Sequence, residues 1–166
     1  MIFFTSDTHF GHANIIRHCV RPFENVTTMD EALIKNWNAC VSKVDTIYHL
    51  GDFVWRKDRV DYYKSRLNGK LILLKGSHDR GVDLPQILEI KVEGQIIVLC
   101  HYAMRTWPRS HYGSWHLFGH SHGRLNDNVG LSMDVGVDTN AFLPHSFDAV
   151  KIYMEALTDI YRWKAK

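Results

Sequence analysis

Seven acidic and imidazole side chains, Asp7, His9, Asp52, His78, His101, His120 and His122, each stand just after a short apolar run of this 166-residue chain. Carboxylate oxygens and imidazole nitrogens in one set suit intermediate divalent cations such as Mn²⁺, Fe²⁺, Co²⁺, Ni²⁺ or Zn²⁺, whereas an all-oxygen shell would favour Mg²⁺ or Ca²⁺. Asp7 and His9 differ by two positions, so at a strand end both side chains face the same side. A lone histidine is more often a hydrogen-bonded core or loop residue, but seven such groups in matching places reverse those odds. Eleven histidines are also more than packing or surface polarity asks of a chain this size. His18, His49, His111, His116 and His145 fall outside the pattern and read as structural.

The elements that must position these groups follow from short hydrophobic runs. Ile2–Thr5, Thr46–Leu50, Leu71–Leu74, Ile96–Cys100 and Trp115–Phe118 are β-branched or aromatic and too short for helices, so they predict buried strands. Each leads into a loaded loop: Ser6-Asp7-Thr8-His9, Gly51-Asp52, Gly76-Ser77-His78-Asp79, His101-Tyr102 and Gly119-His120-Ser121-His122-Gly123. Strand ends of an α/β sheet converge on one crevice, which is where a ligand set belongs. Thr28-Met29-Asp30-Glu31 reads as a capping box, with Leu33, Ile34, Trp37 and Val41 on one face of a helix near 28–42. A weaker helix over Arg59–Leu67, ended at Asn68-Gly69, completes a β-α-β-α-β opening. Val92-Glu93-Gly94-Gln95 predicts a hairpin between Ile87–Val92 and Gln95–Cys100, so the second half is antiparallel or mixed and two packed sheets are expected. A strand near Leu131–Val137 precedes a last helix capped by Ser146, with Val150, Tyr153, Met154 and Leu157 facing inward.

Composition bounds the remaining options. Apolar residues make up 45% and charged residues 23%, an ordinary globular balance, and the length predicts one domain over residues 1–166. A net charge of +2 is too small to imply a nucleic-acid or membrane partner through bulk electrostatics, so phosphate recognition must be local, and nucleic acid is not excluded by it. No apolar run approaches membrane-spanning length. Cys19, Cys40 and Cys100 are odd in number and widely spaced, which suits a reducing cytoplasm. The oligomeric state is left open.

The ordered blocks Asp7-x-His9, Gly51-Asp52, Gly76-Ser77-His78-Asp79, His101 and Gly119-His120-x-His122 resemble those of the calcineurin-like metallophosphoesterase superfamily. The start Asp7-Thr8-His9-Phe10-Gly11-His12-Ala13-Asn14-Ile15-Ile16 is similar to its compact prokaryotic and phage-type members. The resemblance implies an α/β fold, a four-layer α-β-β-α sandwich with two mixed sheets flanked by helices. It implies that Asp7, His9 and His122 hold one metal ion, His101 and His120 a second, and Asp52 bridges them. At the second metal the family has an asparagine where this chain has Ser77, whose hydroxyl is shorter and a poorer ligand than an amide oxygen. That departure reads as a natural variant with a weaker second site, a water in the ligand's place, or a substitution introduced to slow turnover.

His78 matches the family histidine that stabilises the transition state or protonates the departing oxygen. Two such cations, with Mn²⁺ the first expectation, would activate water against a phosphate ester. The protein-phosphatase members continue the second block with an acidic residue where this chain has Trp55, so a small phosphodiester or nucleotide-like substrate is favoured. A phosphomonoesterase with the same site is one alternative. A weakly active or non-catalytic interaction module is another, since a retromer subunit of this fold serves assembly, although that subunit lacks the catalytic histidine. His12 and Asn14 could reach substrate, but Asn14 fits the cap of a helix starting near Ala13 as well. Tyr102, Arg105, Trp107 and Arg109 form either an aromatic and cationic rim for phosphate and base, or a packed loop with solvated charges.

Overall fold

A computed structural model describes residues 1–79, 83–125, 127 and 129–162. Three of the expected strands, β1 (Ile2–Thr5), β2 (Thr46–His49) and β3 (Lys70–Leu73), pair in parallel in the spatial order β3-β2-β1. Hydrophobic side chains occupy both faces of these strands, as parallel strands covered on two sides require. A two-residue strand, β8 (His145–Ser146), joins β1 antiparallel and makes this sheet mixed. The sequence offered no period from which so short a strand could be read. It forms because Pro144 ends one loop and Ser146 begins a helix beside the free edge of β1.

The second sheet runs β4 (Ile87–Val92), β5 (Gln95–Cys100), β6 (Trp115–Phe118) and β7 (Ser132–Asp134). The hairpin β4-β5 turns at Glu93 and Gly94, both at positive φ (49° and 88°), the geometry whose twist matches antiparallel strands. β5-β6 and β6-β7 are parallel, so this sheet is mixed as well. β7 is shorter than the expected Leu131–Val137 because Asp134 spends its carboxylate on the backbone of Gly136 and Gly123, turning the chain out of the ladder.

Between the sheets lies one core, with Phe4, Leu50 and Leu74 from the first meeting Ile97, Leu99, Leu117 and Met133 from the second. Helices α1 (Ala13–His18), α2 (Val26–Cys40) and α3 (Val60–Lys64) cluster around Phe10, Met29, Leu33, Phe53 and Tyr63, while Trp37 of α2 and Val41 just after it pack on Phe3 and Ile47. α4 (Phe147–Glu155) touches β1 and β7 and sends Phe147, Val150 and Met154 into the shared core. The architecture is thus two mixed four-stranded sheets flanked by helices. The expected box at Thr28–Glu31 is displaced: α2 starts at Val26, and Asn25 and Thr28 cap each other reciprocally at 3.0 and 3.2 Å. Glu31 does not close such a box, because its carboxylate pairs with the Arg66 guanidinium at 2.6 and 2.7 Å, and the neighbouring Asp30 receives the Tyr63 hydroxyl and the Gly11 amide. Ser146 does cap α4, accepting from the Ala149 amide.

Candidate metal centre

The parallel strands deliver their loaded loops to one place. A parallel bridge between Ser6 and Gly136 ties the end of β1 to the loop after β7, and another between Phe10 and Val54 ties the first two loops together. Within this junction Asp7, His9, Asp52, His120 and His122 all take left-handed backbone conformations, with φ between 49° and 66°. Non-glycine residues rarely adopt this region, and such strain persists where the surroundings over-determine it, as at functional sites. Two glycines allow the loops to approach: a Cβ on Gly76 would collide with the Asp52 amide and carboxylate, and one on Gly119 with Ser6 and the Asp7 carboxylate.

The expected ligands separate into two groups whose donor atoms lie within 4.8 Å of one another, Asp7 with His9 and His122, and Asp52 with His101 and His120. Asp52 stands between them: its Oδ2 is 3.4 Å from His101 Nε2, 3.7 Å from His9 Nε2 and 4.0 Å from His78 Nε2. Several donor atoms are buried without a hydrogen-bond partner, namely Asp7 Oδ1, both ring nitrogens of His9, and His101 Nε2. Burying a polar atom unpaired costs about 1–3 kcal/mol, a penalty that a ligand bound by these four atoms would offset. Oxygen and imidazole donors converging on two points fit a pair of divalent cations.

Electrostatics follow the same division. Burial raises the Asp7 pKa to about 6, partly opposed by His101 and His122, and burial lowers that of His9 to about 2. For Asp52 burial acts upward, but His101 and the His78 amide outweigh it and hold the carboxylate ionised. His101 is likewise drawn down by burial and raised on balance by Asp52 and Asp7, while burial lowers His120. For His122 burial acts downward, but the Asp138 carboxylate 2.7 Å from its Nδ1, together with Cys19 and Asp7, outweighs it and raises the pKa to about 10.

Ser77 is next to this cluster, but its hydroxyl donates to Asp52 Oδ2 at 2.8 Å. The His78 amide donates to Asp52 Oδ1 at 2.8 Å, and its half-exposed ring stands beside His9 with centroids 5.4 Å apart. Asp79 orients the loop, accepting from the amides of Asp52 (2.9 Å) and Gly76 (2.7 Å). His12 is buried beside His9, its ring stacked on Trp55, whereas Asn14 is exposed in the first turn of α1 and does not cap it, His12 being the cap residue. The proposed rim divides. Tyr102 packs against His101 and His120 at 4.9 and 4.8 Å, but Trp107 is buried with its indole N–H on the Ser114 carbonyl, and Arg109 pairs with Glu89. Arg105 is exposed beyond Tyr102, its carbonyl accepting from the Tyr161 hydroxyl.

Sequence reasoning missed the groups behind the ligands. The buried Arg21 guanidinium makes a bidentate pair with Asp138, 2.8 Å on each arm, and donates to the carbonyls of Asp7 (2.7 Å) and Thr8 (3.1 Å). Asp138 then receives His122 Nδ1–H, which directs Nε2 toward Asp7 and His9. Asp138 follows an expected strand, so the rule that found the ligands would also have found it; nothing local marks Arg21. Cys19 groups with His122 and Asp138, its Sγ and their donor atoms lying within 4.8 Å of one another, and it too raises the His122 pKa. Of the histidines set aside, His49 accepts from the Gly51 amide and meets Thr8 Oγ1 at 2.9 Å, and Thr8 donates onward to the Phe53 carbonyl, locking the first two loops together. His116 bridges β5 and the following loop by its contacts with the Val98 carbonyl and Met104 amide.

Fold and site together describe a metal-dependent hydrolase of phosphate esters. Residues 1–146 match the calcineurin-like phosphoesterase family, and the chain belongs to it. An uncharacterized protein of Methanocaldococcus jannaschii is 34% identical over 158 residues, covering 90% of this chain and 88% of its own. Among solved structures, a protein of unknown function from Aquifex aeolicus shares the fold with a TM-score of 0.73 and 24% identity, over 92% of this chain and 98% of its own. A Vps29 mutant from Entamoeba histolytica is a more distant likeness, with a TM-score of 0.49, 16% identity, and coverage of 81% of this chain and 72% of its own.

Proposed function

We propose that residues 1–166 form one domain that hydrolyses a small phosphodiester or nucleotide-like ester with two divalent cations, Mn²⁺ foremost. One site comprises Asp7, His9 and His122; the other comprises His101 and His120, with Ser77 at its margin and Asp52 shared. The carrying observation is the pair of donor groups on either side of Asp52, with buried donor atoms left unpartnered. Bound there, the cations would acidify a shared water and neutralise charge on the phosphate.

The chain's own groups supply the rest. Asp52 stays ionised and His9 neutral, the protonation states that cation binding requires. His78 is fixed through its backbone to Asp52 while its ring stays half-exposed beside the donors, from where it protonates the departing oxygen. His12, beside His9, and Tyr102, beside His101 and His120, border the substrate. No helix among the described residues is long and apolar enough to cross a membrane, and the three free thiols favour a cytoplasmic setting.

Hydrolysis of bis(p-nitrophenyl) phosphate tests the proposal. Turnover with Mn²⁺ should vanish on chelation and fall by about 10²–10⁴ in His78→Ala. Turnover surviving both changes would overturn it, and a strong preference for p-nitrophenyl phosphate would assign a monoesterase instead.

A further inference from the structure

Beside the candidate centre, Trp55 is 47% exposed although it is a large aromatic side chain. It is nevertheless held firmly. Its amide donates to the Phe10 carbonyl at 2.9 Å, the preceding Val54 is buried, and one face of the indole lies on the His12 ring with centroids 3.9 Å apart and planes 11° apart. His12 is 7% exposed and packs in turn against His9, so the stack is anchored in the floor of the site.

His78 is 5.4 Å from the indole and 6.0 Å from His12. With 3.9 Å as the third side, these separations make a nearly right angle at Trp55, so His78 flanks the stack and does not lie over the outer indole face. One face is therefore covered by His12 and one edge borders His78, so neither ring meets the outer face of this half-exposed indole. A rigid aromatic plane presented in this way binds planar rings by stacking, with little conformational entropy to lose.

We infer that Trp55 is a specificity-determining platform for the nucleobase of a nucleotidyl ester, adjacent to the scissile phosphate. This names the substrate class of the proposed function and rests on it for the position of that phosphate. Stacking on an aromatic side chain tolerates any base, so the platform selects nucleotides over non-aromatic esters without selecting a sequence.

The test compares two ligands that differ in the ring. Isothermal calorimetry on the full chain with Mn²⁺ measures the affinities of AMP and ribose 5-phosphate for the wild type, Trp55→Ala and Trp55→Phe. AMP should bind the wild type tighter by about 5- to 150-fold, the range of one stacked base. Trp55→Ala should erase the difference and Trp55→Phe keep most of it. A wild type without preference for AMP, or a preference unchanged in Trp55→Ala, overturns the inference. Binding is read without turnover, so ring-dependent binding with no ester hydrolysis would sink the proposed function alone, and hydrolysis without ring preference would sink the platform alone.

Discussion

Around Asp7, His9 and His122 the donors are backed by a second layer of buried groups: Arg21 grips the carbonyls of Asp7 and Thr8, Asp138 fixes His122, and His49 pins Thr8 to the Asp52 loop. Around Asp52, His101 and His120 the backing is uneven. Asp52 and His101 are buried and held, but His120 is exposed, with ring contacts to His101 and Tyr102, and Ser77 turns its hydroxyl onto Asp52. Outer partners fix ligand orientation and strengthen metal binding, whereas a catalytic site must keep one position open. On the proposed function, the first half is the tighter cation site and the second is the one that exchanges and meets substrate.

The most severe test removes what the halves share. Asp52→Asn should abolish their cooperation and lower phosphodiesterase turnover by more than about 100-fold, beyond the 10–100-fold of an outer-partner change. Activity within tenfold of wild type would show that the halves work separately. Asp138→Asn attacks the backed half alone: once the displaced His122 proton is accounted for, Mn²⁺ affinity at the tighter site should fall by about 10–100-fold, with the weaker site little changed in the same calorimetric titration.

Protons sharpen this result. His122 is raised from 6.5 to about 10, so in the metal-free protein it is charged at pH 7.5, and a cation at Nε2 must displace that proton. Affinity at the first half should therefore climb with pH toward about 10, with proton release measured in buffers of different ionisation enthalpy, and Asp138→Asn should reduce that release. The same sign applies to metal-free stability: the His122 contribution is complete below pH 6.5 and lost as pH rises through about 10.

Ser77→Asn introduces an amide at the second half and should tighten the weaker site by roughly tenfold, the low end of the ligand-shell range. Equal affinities would mean that the Ser77–Asp52 hydrogen bond does not set the difference. The smallest effect belongs to the scaffold. Asn25→Ala removes the α2 cap, should cost about 1 kcal/mol in urea unfolding, and should move neither metal affinity.

How far the sequence reached depends on whether a feature is local. Strands β1, β2, β3, β5 and β6 could be read from five or so adjacent residues, as could the hairpin at Glu93-Gly94 and the cap at Ser146. The polar groups following those strands could be read as a set because parallel strands bring their ends to a common edge. The start of α2 was misplaced because Asn25 and Thr28 compete with Thr28 and Glu31 as caps, and in three dimensions Thr28 is engaged by Asn25 while Glu31 pairs with the distant Arg66.

By itself, the sequence determined the family pattern, the chemistry of the donors and the departure at Ser77, since each is written in residue type and short-range order. Tertiary structure alone decided that five of those donors sit in left-handed backbone and that Arg21 and Asp138, 117 positions apart, hold half of them in place. It also decided that Trp55 lies on His12 and that Trp107 is buried. The physical reason is that hydrogen bonds and ring contacts depend on separation in space, which folding makes short between residues far apart along the chain.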